Sequence, residues 1–170
     1  MKPWDSLKAA DLMKSPVLAV DTDSSLEEAA RTMSENRVSG LLVTDHRGAA
    51  VGVVSMSDIV SYLAGLQRPA GEPGGFYRQM APQFADAGEG GEERWEEMEE
   101  EPLRETTVGE IMATEILAVG LDASIPELAK LLWERRIHRV FVSGEGGRPA
   151  GVISTLDVLG TLAGLPAAKV

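Results

Sequence analysis

The strongest constraint on this chain is that it contains itself twice. Residues 11–65, moved along by 99 positions, fall on residues 110–164 without a gap. About 19 of the 55 aligned pairs are identical. Others exchange like for like, as in Leu12/Ile111, Leu26/Ile125, Val38/Ile137, Val54/Ile153 and Ile59/Val158. A gapless match over that length marks a duplicated supersecondary unit. Copies this short bury too little apolar surface to be comfortably stable alone, so the two are expected to close a core together.

Each copy carries the same signals in the same order. The apolar runs Val17-Leu18-Ala19-Val20 and Ile116-Leu117-Ala118-Val119 have the length of buried strands. Ser25-x-x-Glu28 and Ser124-x-x-Glu127 then have the form of a capping box, in which a hydroxyl and a carboxylate satisfy each other's backbone amides. Leu26, Ala29, Ala30 and Met33, and their partners Ile125, Leu128, Ala129 and Leu132, follow at helical spacing. Two further strands are Leu41–Val43 with Val51–Val54, and Val140–Val142 with Gly151–Ile153. Polar, glycine-containing turns at 45–48 and 144–147 separate them. Short helices from about Asp58 to Leu63 and from about Asp157 to Leu162 end at Gly65 and Gly164. The order is strand, helix, strand, strand, helix, in each copy.

Composition narrows the chemistry. The chain has no cysteine, which removes disulfides, thiolate metal sites and a cysteine nucleophile, and fits a reducing compartment. Its net charge of −11 repels a phosphate backbone, so nucleic acid is not an expected partner. No apolar run has the length of a membrane span, and Met1–Asp5 lacks the apolar stretch of a signal peptide, so the cytoplasm is the expected compartment. The two histidines, His46 and His138, are far apart and suggest no metal site. There is no nucleophile elbow, Walker loop or Gly-x-Gly-x-x-Gly run, so an enzyme is not expected.

The third strand of each copy ends in Gly-h-h-Ser-x-x-Asp, where h is apolar: Gly52 to Asp58 and Gly151 to Asp157. Ser55, Ser57 and Asp58 thus lie where a strand gives way to a helix N-terminus, a natural place for an anion. A serine there can donate to phosphate, and an aspartate can accept the hydroxyls of a ribose. The same residues can equally be plain helix caps. With Met13-x-Ser15-Pro16 and Arg136-Ile137-His138-Arg139, the paired motif resembles the CBS domain family over about 8–65 and 107–164.

The resemblance implies an α+β (α/β) fold of two tandem CBS repeats, each β-α-β-β-α, packed with pseudo-twofold symmetry and leaving two clefts. It implies an adenosine-containing regulatory ligand (AMP, ADP, ATP, S-adenosylmethionine or NAD) and signalling by change of shape to a regulated protein. The first cleft would combine Ser55, Ser57 and Asp58 with Thr114, Ile116, Ala118, His138 and Arg139. The second would combine Ser154, Thr155 and Asp157 with Ser15, Val17, Ala19, Val38 and Ser39. Cleft one then holds an imidazole and a guanidinium where cleft two has Ser39 and Gly40, so it is expected to take the more highly charged ligand. Arg139 could instead pair with Glu134 or Glu145. The resemblance also implies a homodimer, for which Ile59, Val60 and Leu63, with Val158, Leu159 and Leu162, offer apolar helix faces.

The expected organisation is repeat one over 1–65, an insertion over 66–105 and repeat two over 106–170. The insertion holds 11 acids and 4 arginines, so −7 of the net −11 lies there and −4 in the rest. Such a run is ordinarily a solvated helix or linker. Phe76, Tyr77, Met80, Phe84, Trp95 and Met98 interleave with its charge, as a docking element would require. An interaction scaffold, using this segment and with vestigial clefts, is therefore the alternative to a ligand sensor.

Overall fold

A computed structural model describes residues 4–66 and 101–165. The acidic docking candidates at 76–98 lie outside the described residues. In chain order the elements are α1 (Ala9–Leu12), β1 (Ala19–Asp21), α2 (Leu26–Asn36), β2 (Gly40–Thr44), β3 (Ala50–Ser55) and α3 (Met56–Leu63). They continue as α4 (Glu101–Glu105), α5 (Val108–Ile111), β4 (Ala118–Gly120), α6 (Ile125–Glu134), β5 (Arg139–Ser143), β6 (Pro149–Ser154) and α7 (Thr155–Leu162). The order expected from the repeat is present in both copies, as a mixed α+β fold.

The strands form two separate three-stranded sheets, β1-β2-β3 and β4-β5-β6. In each, the first pair is parallel and the second antiparallel, with Ala19 opposite Leu42 and Ala118 opposite Phe141. A parallel pair needs a crossover, and the amphipathic helix supplies it. Ser25 accepts from the Glu28 amide at 3.1 Å, and α2 then buries Leu26, Ala29 and Met33. Ser124 makes the full reciprocal box with Glu127, and α6 buries Ile125, Leu128 and Leu132. Both helices give way to an arginine with positive φ, Arg37 at 54° and Arg136 at 51°, at matching places in the repeat. Val43, Val53 and Val54 in one sheet, and Val140, Phe141, Val142 and Ile153 in the other, are fully buried.

The short leading helices α1 and α5 are what the repeat pattern did not show. Thr107-x-x-Glu110 caps α5 reciprocally and the Lys8 amide, before α1, donates to the Asp11 carboxylate within it, but each run is a single turn, too short for hydrophobic periodicity to register. Their placement divides the chain unexpectedly. One compact unit is Ala19–Thr114, and the other joins Met1–Leu18 to Glu115–Val170. Sequence repeat and compact unit are thus different divisions, because the leading segments change places.

Within the unit Ala19–Thr114, the Val108 and Gly109 amides donate to the carbonyls of Ser24 and Thr22 at 2.8 and 2.9 Å. Ala113 then pairs antiparallel with Val53 of β3, through bonds of 2.8 and 2.9 Å. The other unit repeats this with matched residues. Ala9 and Ala10 donate to Ala123 and Leu121, and Lys14 pairs with Val152 of β6 at 2.9 and 3.0 Å.

This close approach explains the glycine of the motif. A Cβ on Gly52 would lie 2.6 Å from the Ala113 carbonyl oxygen and 2.7 Å from the Met112 sulfur. A Cβ on Gly151 would lie 2.7 Å from the Met13 side chain. Neither the Ala113 carbonyl oxygen nor the Met13 Cβ can rotate away, since the backbone fixes both. Gly52→Ala and Gly151→Ala are therefore each expected to lower stability by about 1–3 kcal/mol. Urea denaturation of the two variants checks this. Equal, near-zero effects would mean that the leading segment does not pack against β3.

Candidate functional site

The two strand-to-helix junctions are where the candidate ligand residues concentrate, and each is built locally. In the unit Ala19–Thr114, β3 ends at Ser55, which is the N-cap of α3. This is why α3 begins at Met56, before the expected Asp58. Ser55 donates from its backbone N–H and from its Oγ to Asp58 Oδ2, at 2.9 and 2.6 Å. The Asp58 amide returns a bond to Ser55 Oγ at 3.3 Å. Ser57 Oγ lies 2.9 Å from Ser55 Oγ, so hydroxyls and carboxylate form one network. Ser55 and Asp58 are only 2% and 5% exposed, which fixes the carboxylate in a single setting.

The start of β2 belongs to the same neighbourhood, because the Met56 amide donates to the Ser39 carbonyl at 3.1 Å. Ser39 is exposed and Val38 half-buried. Thr114 is exposed, directly after the Ala113 that pairs with β3, and Ala19 is exposed on β1. The capping role that the sequence left open for Ser55 and Asp58 is thus present in full. The network could serve a ligand only in addition to it.

In the other unit the construction is the same, with different neighbours. Ser154 donates from its N–H to Asp157 Oδ2 at 2.8 Å and from its Oγ to the same oxygen. The Thr155 amide and hydroxyl donate to the His138 carbonyl at 2.8 and 3.2 Å. Leu156, where the first copy has Ser57, is 74% exposed. His138, Ser15 and Ala118 are exposed, and Val17 and Ile116 half-buried.

Arg139 stands opposite Ser154 in the β5–β6 register. Burial pulls its guanidinium below its usual value, and the acid that opposes this is Asp157. The sequence had offered Glu134 or Glu145 for that place. Lys14 is the residue that sequence reasoning missed. Its Nζ lies 3.1 Å from Asp157 Oδ1, and the Asp157 side chain is 6% exposed. The repeat could not reveal it, since the matched residue is Ala113, and the pairing with Val152 that brings it there is long-range.

Among the described residues no group of three or more His, Asp and Glu side chains could hold a metal ion. None of the described helices is long and apolar enough to cross a membrane.

Comparison with known proteins agrees with this geometry. A family model of the CBS domain matches residues 9–65 and 108–164, which include both leading helices and both capped junctions. The chain belongs to the CBS domain family.

This CBS pair is 26% identical over 157 residues to the uncharacterized protein MJ1426 of Methanocaldococcus jannaschii, covering 89% of each chain. Its fold matches the CBS domain pair of protein MJ0100, solved in complex with 5′-methylthioadenosine and S-adenosyl-L-methionine. That match has a TM-score of 0.64 and 18% identity over 93% of this chain and 97% of the other. It also matches CBSX2 in complex with AMP, with a TM-score of 0.62 and 21% identity over 92% and 96% of the two chains.

The caps have a consequence for stability that needs no ligand. Ser55→Ala removes the α3 cap and takes a donor from a buried carboxylate, at a cost of about 1–2 kcal/mol. Denaturation of ligand-free protein reads this directly. An unchanged midpoint would mean that the Ser55–Asp58 network does not hold the junction.

Proposed function

We propose that this CBS pair is a regulatory module that binds an adenosine-containing ligand and passes the bound state to a protein partner by changing shape. An adenine nucleotide (AMP, ADP or ATP) is favoured over S-adenosylmethionine. The observation that carries the reading is the Ser55–Ser57–Asp58 network, a buried carboxylate and two hydroxyls fixed at a helix N-terminus. A carboxylate suits ribose hydroxyls, and hydroxyls at a helix N-terminus suit phosphate. The AMP and S-adenosyl-L-methionine complexes of the two similar folds support the same ligand class.

The contacts implied by the resemblance supply the residue-level content. Asp58 accepts from the ribose, Ser55 and Ser57 with His138 and Arg139 meet phosphate, and Thr114, Ile116 and Ala118 complete the set. Ser154, Thr155 and Asp157, with Ser15, Val17, Ala19, Val38 and Ser39, form the second set. The module is a binder and not a catalyst, a reading supported by a sequence without a nucleophile elbow, Walker loop or Gly-x-Gly-x-x-Gly run. It acts in the cytoplasm as a homodimer. Exposure of Leu159 and Leu162 on α7 supports the dimer, whereas Ile59 and Val158 are buried.

Calorimetric titration with adenosine, AMP and ATP tests the reading. Asp58→Ala is expected to weaken all three, because the ribose is common to them. Arg139→Ala is expected to weaken the phosphorylated ligands by about 10- to 150-fold and adenosine far less, since a charge-assisted hydrogen bond contributes about 1.5–3 kcal/mol. Equal weakening of adenosine and AMP by Arg139→Ala would remove the phosphate role. No binding of any of the three by the wild-type chain would remove the reading itself.

A further inference from the structure

Asp58 and Asp157 occupy matching places in the repeat and are held differently. Both give Oδ2 to the helix cap. Asp157 also receives the Lys14 ammonium on Oδ1, at 3.1 Å, in a setting where its side chain is 6% exposed. The Arg139 guanidinium is a second cation acting on it. Shifted by the repeat, Lys14 becomes Ala113, which cannot supply an ammonium from that place.

Lys14 is not a surface side chain that happens to swing inward. Its backbone pairs with Val152 on β6, as that of Ala113 pairs with Val53 on β3. The same ladder presents a lysine to one junction and an alanine to the other. The fold is the same at this place, and the residue there decides whether an ammonium reaches the carboxylate.

A carboxylate that recognises a ribose accepts its two neighbouring hydroxyls, which needs acceptor capacity directed outward. Asp157 already accepts from two donors on one oxygen and an ammonium on the other. A carboxylate oxygen offers about two lone-pair sites, so the inner oxygen is filled. Admitting a ribose would mean moving Lys14 away from a little-exposed carboxylate, which is unfavourable because it takes an ammonium from a charge with little access to water.

We propose that Lys14 closes the Asp157 junction to ribose. The inference rests on the adenosine reading above, and its experiment separates the two. The full-length chain and its Lys14→Ala and Lys14→Met variants are titrated calorimetrically with adenosine, after thermal melts establish that each is folded. Lys14→Met keeps the apolar stem of the side chain and guards against loss of packing in Lys14→Ala. Adenosine is the probe because it has no phosphate to recruit Lys14 for another purpose.

The expected result is one adenosine per wild-type chain and two per variant chain. Adding Asp157→Asn to Lys14→Met should then weaken the new site by at least about tenfold, because the carboxylate that accepts the hydroxyls is gone. A wild type that binds none beside a variant that binds one keeps the closure and overturns adenosine binding at the Asp58 junction. Two equivalents on the wild type, or one on the wild type and one on both variants, overturns the closure and leaves the adenosine reading standing. No binding by any of the three chains overturns both.

Discussion

The architecture depends on one close backbone approach. At Gly52 and Gly151 the third strand of each sheet lets another stretch of chain come so near that a Cβ would collide with it. The approaching stretch is not the strand's own hairpin neighbour. It is Met112-Ala113 in one unit and Met13-Lys14 in the other, each drawn in behind its leading helix. Because the leading segments change places, each compact unit needs residues from both sequence repeats. Duplication therefore produced a chain in which neither copy holds all the residues of its own unit.

That approach also sets up the candidate site. The paired residue, Ala113 or Lys14, lies beside a strand that ends two residues later in the N-cap serine of the following helix. Cap, carboxylate and incoming segment are thereby brought to one end of each sheet. The cap fixes the aspartate, and the incoming segment decides what charge meets it. Two junctions with the same hydrogen-bond skeleton differ in electrostatics for this reason: the incoming residue is Ala113 in one and Lys14 in the other.

Much of this was legible in the sequence. The gapless repeat, the Ser-x-x-Glu helix starts and the stops at Gly65 and Gly164 correspond to elements in place, with both glycines at positive φ. These are local signals, written in consecutive residues and read by short-range chemistry. The Ser55 and Ser154 caps were legible too, though only the structure shows that each carboxylate oxygen Oδ2 serves two donors of the same serine. What escaped is long-range or too short to be periodic: the single-turn leading helices, their exchange between units, and Lys14 on Asp157. Lys14 was hidden further because the repeat aligns it with an alanine, where comparison of the copies directs attention to what they share.

The central claim is that the capped junction at Asp58 is where an adenosine ligand is recognised. Amide nitrogen–proton NMR spectra of the full-length chain during titration with AMP test it most directly. The account predicts that the amides of Met56, Ser57 and Asp58 shift along one saturating curve, since they lie at the N-terminus of α3 beside the bound carboxylate and hydroxyls. Saturable AMP binding that leaves those three amides unmoved would contradict it.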